Sequence, residues 1–155
     1  MSIFTSFSSL IGGKQKEPKT SSPVVNSKTS QKKIVIVEDD TELRNFYEEY
    51  LTSENFQVIT AENGQLGLEA IKANDPDIVL LDLMMPVMDG KTVLHTIRNI
   101  PQFKYTPVVI LSNAGDADTI QQTKVFDNAD DFLIKANITP DILLNKIKSL
   151  TYSSK

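Results

Sequence analysis

Residues 78–90 read Ile-Val-Leu-Leu-Asp-Leu-Met-Met-Pro-Val-Met-Asp-Gly. Four apolar residues, Ile78 to Leu81, run without a polar break, as in a strand covered on both faces. The run then delivers one carboxylate, Asp82. Pro86 and Gly90 punctuate the loop that follows, which predicts Asp82 at a rim rather than in the core. In a parallel α/β sheet that rim, outside the carboxyl ends of the strands, is where ligands bind.

Outward from this stretch the chain alternates. Ile34–Val37 is an apolar strand ending in Glu38-Asp39-Asp40, and Thr41 is read as the N-cap of a helix reaching about Ser53. That helix places Leu43, Phe46, Tyr47, Tyr50 and Leu51 on one side. Phe56–Thr60 reads as a second strand. Asn63 opens a second helix, with Leu66, Leu68, Ala70 and Ile71 near helical spacing and Asp75-Pro76 as its stop. After the Asp82 strand come a helix over Lys91–Asn99 and a strand over Pro107–Leu111 that leads into Ser112. A weakly apolar helix over Asp116–Phe126, a strand over Asp131–Ile134 ending in Lys135, and a helix from Thr139-Pro140-Asp141 to about Leu150 complete the order.

Five strands alternating with five helices predict a doubly wound (βα)5 parallel sheet, covered on both faces. The flavodoxin-like strand order 2-1-3-4-5 is the expectation.

The 155 residues suffice for one domain with a core. Residues 1–31 hold four Lys and one Glu, while residues 32–155 hold 12 Lys and Arg against 19 acids. The acidic part has no basic stripe, so direct nucleic-acid binding is not expected. The chain has no cysteine, which excludes disulfides and thiolate metal sites. No apolar run approaches the roughly 20 residues a membrane span needs, and a cytoplasmic protein is the expectation.

Residues 1–31 read as a flexible basic extension before a domain over 32–152. Within it, Ile3, Phe4, Phe7, Leu10 and Ile11 form a short amphipathic segment, 3–11. Docking of residues 1–13 to a partner or a membrane surface stands beside the plain alternative, a frayed tail.

Glu38, Asp39, Asp82, Ser112 and Lys135 all fall at strand ends that this topology lays side by side. Three carboxylates in one place repel unless a cation is present, and hard oxygen donors suit Mg²⁺. A lysine and a serine hydroxyl beside them suit an incoming anion. Together they fit phosphoryl chemistry, with a carboxylate nucleophile, a metal and cationic donors.

Val37-Glu38-Asp39-Asp40, the Leu81–Gly90 segment, Leu111-Ser112 and Ile134-Lys135 resemble the response-regulator receiver domain of two-component signalling. The single-domain, chemotaxis-type members are the nearest match to this layout. The resemblance covers about residues 33–150, and its strength lies in four motifs occurring in order. It implies that Asp82 accepts a phosphoryl group from a sensor histidine kinase or a phosphotransfer protein. Glu38, Asp39, Asp82 and the backbone carbonyl of Met84 would bind Mg²⁺, and Ser112 and Lys135 would hold phosphoryl oxygens. Ser112 and Phe132 stand at the family's switch positions. The surface of the fourth helix, fifth strand and fifth helix would then report the state to a downstream effector protein.

Two residues depart from the family pattern. Asn113 stands where a small residue is common. Ala136 replaces a proline that is commonly cis, so a trans peptide is expected there.

Plain alternatives exist for each residue. Glu38, Asp39 and Asp40 could be acids favoured by a helix N-terminus, and Asp40 is assigned to that class. Phe132 reads first as core and second as switch. His95 reads as structural, and Asp116 and Asp118 as helix N-terminal acids. As competing functions, a Mg²⁺-dependent phosphohydrolase would share an aspartyl-phosphate, and a degenerate receiver would act by contact alone. Haloacid-dehalogenase-type phosphatases carry a second Asp two residues after the nucleophile, where this chain has Met84. The full acidic, serine and lysine set speaks against the degenerate form.

Overall fold

The computed structural model describes residues 30–113 and 129–152. The segment 3–11, most of the basic linker and the expected helix over Asp116–Phe126 lie outside the described residues.

Five parallel strands, β1 (Lys33–Val37), β2 (Gln57–Ala61), β3 (Ile78–Asp82), β4 (Val108–Ser112) and β5 (Asp131–Ile134), form one sheet. Their order is β2-β1-β3-β4-β5, as expected. The helices are α1 (Thr41–Ser53), α2 (Gly64–Asn74), α3 (Gly90–Arg98) and the C-terminal helix (Pro140–Thr151).

Every residue of β3 and β4 is buried, because each of these strands is paired on both sides and covered on both faces. Side chains alternate between the faces. Val35, Val37, Val79, Leu81, Val108 and Ile110 meet Leu68 and Ile71 of α2 and Val93, Leu94 and Ile97 of α3. Ile34, Ile36, Ile78, Leu80, Val109 and Leu111 meet Tyr47 and Leu51 of α1 and Leu143 and Ile147 of the C-terminal helix. Each fully buried aliphatic side chain contributes roughly 1.5–3 kcal/mol, so these two layers dominate the stability.

Several boundaries move. Asp40, not Thr41, caps α1, its side chain accepting from the Leu43 amide at 2.9 Å. Asp40 is thus a helix cap, as the plain alternative had it. Asp89 caps α3 by accepting from Thr92 N at 2.7 Å, so that helix starts at Gly90. Asn63 and Thr139 cap as expected, and Asp75 ends α2 in the left-handed conformation just before Pro76. Strands β2 and β4 each begin and end one residue later than the apolar runs suggested. Leu66 is exposed, because its direction on α2 points off the sheet. Phe132 is 42 % exposed rather than core, since β5 is an edge strand with a single neighbour. His95 is exposed on α3 beside Asn99.

No described helix is long and apolar enough to cross a membrane. Among the described residues every peptide bond is trans, including the one entering Ala136, which lies in a single 3-10 turn over Lys135–Asn137.

Candidate phosphoacceptor site

The strand register assembles the site. Val37 pairs with Leu81, Asp82 with Leu111, and Ser112 with Ile134. Glu38, Asp82, Ser112 and Lys135 therefore arrive at one edge of the sheet, each at or one residue past a strand end. The parity that sends Ile34 and Ile36 to the α1 face sends Glu38 there too, and Asp82 follows Ile78 and Leu80.

Asp82 is only 2 % exposed, which corrects its expected place at an open rim. It does end its strand, and the first turn of α3 closes against its backbone. Gly90 allows that closure: a Cβ there would lie 2.1 Å from the Asp82 carbonyl oxygen, so only glycine lets α3 begin this close. The Asp82 carboxylate is held at both ends. Oδ1 accepts from the Met84 amide at 3.2 Å, and Oδ2 pairs with Lys135 Nζ at 3.0 Å.

Lys135 also reaches Glu38, at 2.9 Å to Oε1 and 2.8 Å to Oε2. One ammonium thus bridges two buried carboxylates. Glu38 has no exposed surface, and the Asp40 amide donates to its Oε1 at 3.2 Å. Arg44 clamps the same loop from α1, with Nη1 donating to the Glu38 carbonyl at 2.7 Å and to the Asp39 carbonyl at 3.3 Å. Arg44 was missed in the sequence, because a lone arginine in a first helical turn gives no signal of its target.

Burial, then the neighbouring Asp82 charge, pushes the Glu38 carboxyl up to about 7 against the pull of Lys135. Burial likewise raises Asp82, again opposed by Lys135. Burial alone would lower the Lys135 ammonium, but its hydrogen bonds to the two carboxylates outweigh that and raise it.

Glu38, Asp39 and Asp82 each offer an oxygen, all within 4.8 Å of one another. Three hard donors at this spacing, with Asp39 exposed at the mouth, fit a small divalent cation. Ser112 is fully buried and its Oγ has no hydrogen-bond partner among the described residues. Met84 is exposed at 62 % beside the carboxylates. Phe132 stands on the β5 edge, away from the buried set. A recess of about 510 Å³ over edge strand β2, lined by Arg44, Thr60, Glu62, Leu66 and Glu69, contains none of the three carboxylates.

The profile of the response regulator receiver domain family matches residues 34–148. The response regulator PleD of Caulobacter vibrioides is 38% identical over 119 residues, covering 76% of this chain and 26% of that protein. The sensor histidine kinase TmoS of Ectopseudomonas mendocina is 33% identical over 107 residues, 69% of this chain and 11% of that protein. The chain thus spans only a minor part of these curated relatives. Among solved structures, the chemotaxis response regulator CheY4 of Vibrio cholerae superposes with a TM-score of 0.70 at 26% identity. That match covers 78% of this chain and 99% of CheY4. With the strand order, the assembled strand ends and these matches in agreement, the chain belongs to the response regulator receiver domain family of two-component signalling.

Proposed function

We propose that this chain is a response regulator whose receiver unit, residues 32–152, accepts a phosphoryl group on Asp82. The donor is the phosphohistidine of a sensor histidine kinase or of a phosphotransfer protein, in the cytoplasm. The observation that carries this reading is the Lys135 bridge, which joins Asp82 and Glu38 in a buried pocket where Asp39 completes an oxygen donor set.

An Asp82 carboxylate oxygen attacks phosphorus, the P–O bond forms as the P–N bond breaks, and the donor imidazole leaves with the electron pair. Lys135 follows the transferred group, its ammonium moving from the carboxylates to a phosphoryl oxygen. Ser112 Oγ donates to a second oxygen. Glu38, Asp39, Asp82 and the Met84 carbonyl would hold Mg²⁺, which neutralises charge on the phosphoryl oxygens. Movement of Ser112 biases Phe132 and the surface around β5 and the C-terminal helix, where an effector protein reads the state. Residues 1–13 dock the unit to a partner or a membrane surface, and their deletion is expected to change localisation or partners while phosphorylation stays intact. Met84 stands two residues after Asp82, where haloacid-dehalogenase-type phosphatases carry a second Asp, so we read a signalling protein and not a phosphatase.

The test is intact-protein mass after incubation with acetyl phosphate and Mg²⁺. A single added phosphoryl group, absent in Asp82→Asn and in a chelated sample, is expected. No adduct on the wild-type chain, together with no stable beryllofluoride complex, would overturn the reading.

A further inference from the structure

Tyr47 is 1 % exposed, and its hydroxyl has no hydrogen-bond partner among the described residues. A buried hydroxyl without a partner costs stability, and a phenylalanine would fill the same place without that cost. The placement of Tyr47 gives the hydroxyl a use.

Helix α1 runs back from the carboxyl end of β1, so its N-terminus lies at the edge that carries the site. Helical side chains lean toward the N-terminus of their own helix. Tyr47 lies six residues into α1, about 9 Å along the axis, and a tyrosine leaning that way reaches much of the distance back. It covers the face of the sheet formed by Ile34, Ile36, Ile78 and Leu80, the face to which Glu38 and Asp82 also belong. The phenol thus lies beneath the two buried carboxylates.

We propose that the Tyr47 hydroxyl is a positioning group of the acidic site, donating through one bound water to the Glu38 carboxylate and holding it in a cation-binding orientation. The inference rests on the receiver reading. Burial, then the nearby negative charges of Glu38 and Asp82, push the Tyr47 hydroxyl up, so the phenol stays a proton donor. A water between them would have two polar partners, the Glu38 carboxylate and the Tyr47 hydroxyl. Groups that orient metal-binding carboxylates from behind alter metal affinity by about 10–100-fold.

Tyr47→Phe removes the hydroxyl alone. In full-length protein treated with a chelator and then titrated with Mg²⁺, the amide resonances of Glu38, Asp39 and Met84 report binding. The expected result is a dissociation constant about tenfold weaker in Tyr47→Phe than in wild type. A folded variant whose constant lies within twofold of wild type overturns the inference. A second readout needs no substitution. The ring Cζ resonance of Tyr47 in wild-type protein is expected to move with Mg²⁺, while those of Tyr105 and Tyr152 stay in place; a stationary Tyr47 resonance overturns the inference too. Wild-type protein that binds no Mg²⁺ overturns the receiver reading and the inference with it.

Discussion

Glu38 is a carboxyl with no exposed surface, and burial lifts it to about 7 from an ordinary 4.5. Between those values the folded chain holds a proton that the unfolded chain has released. The sign follows: the contribution of Glu38 to stability is fully present below about pH 4.5 and is lost as pH rises through about 7. Asp82 is shifted the same way, also by burial. Lys135, raised above 10.5, changes charge far outside this window. Each pKa unit is worth about 1.4 kcal/mol. Chelated protein is therefore expected to lose about 7 °C of thermal midpoint between pH 5 and pH 8. Glu38→Gln is expected to lose most of that slope, and scanning calorimetry at the two pH values checks it. Lys135→Met leaves two buried carboxylates without their cation, and a loss of about 3 kcal/mol or more in urea unfolding at pH 8 is expected. At this scale the sequence was legible where chemistry coincides with a strand end, as at Asp82 and Lys135. It was not legible at Tyr47, because a phenol on an apolar helical stripe reads as a hydrophobe, nor at Arg44, whose acceptors are backbone carbonyls.

Elements are placed by caps and by close approaches. Asp40 and Asp89 take the caps because each side chain reaches the amide three residues on, and in both cases the apolar pattern placed the boundary one or two residues late. Gly67 shows what packing α2 on β1 requires: a Cβ there would lie 2.6 Å from Val37 Cγ1 and 2.7 Å from Cγ2. Gly67→Ala is expected to cost about 1–3 kcal/mol in urea unfolding, with phosphorylation retained in the folded fraction. Val87, in the loop between β3 and α3, has φ 69° and is 83 % exposed. A β-branched residue pays strain in that left-handed region, and its side chain gains little contact in return. Val87→Asn is expected to stabilise the fold by about 1 kcal/mol and to raise the thermal midpoint by about 3 °C. Strand types were readable from apolar runs alone. The exposure of Phe132 was not, since alternation cannot tell an edge strand from a central one, and only the pairing shows that β5 has one neighbour.

For the whole molecule, the order β2-β1-β3-β4-β5 puts the three strands with four successive apolar residues in the middle and the mixed ones outside. Amide exchange is expected to be slowest in β1, β3 and β4 and faster in β2 and β5, which mass spectrometry of exchanged peptides would resolve. Crossover handedness and layer rules let this architecture be read before any coordinates, because alternating strands and helices admit few arrangements. The burial of Glu38 and Asp82 was not readable, since it depends on how closely the helices pack on the sheet. The Lys135 bridge has a consequence for the traffic of ligands. Its ammonium holds two carboxylates that a divalent ion would also claim, so on the proposed reading lysine and ion would be rivals until a phosphoryl group drew the lysine away. Thermodynamic reciprocity then requires that the phosphoryl group tighten ion binding by the same factor by which the ion favours the phosphoryl group. On the proposed reading the molecule would answer to the coincidence of the two rather than to either one.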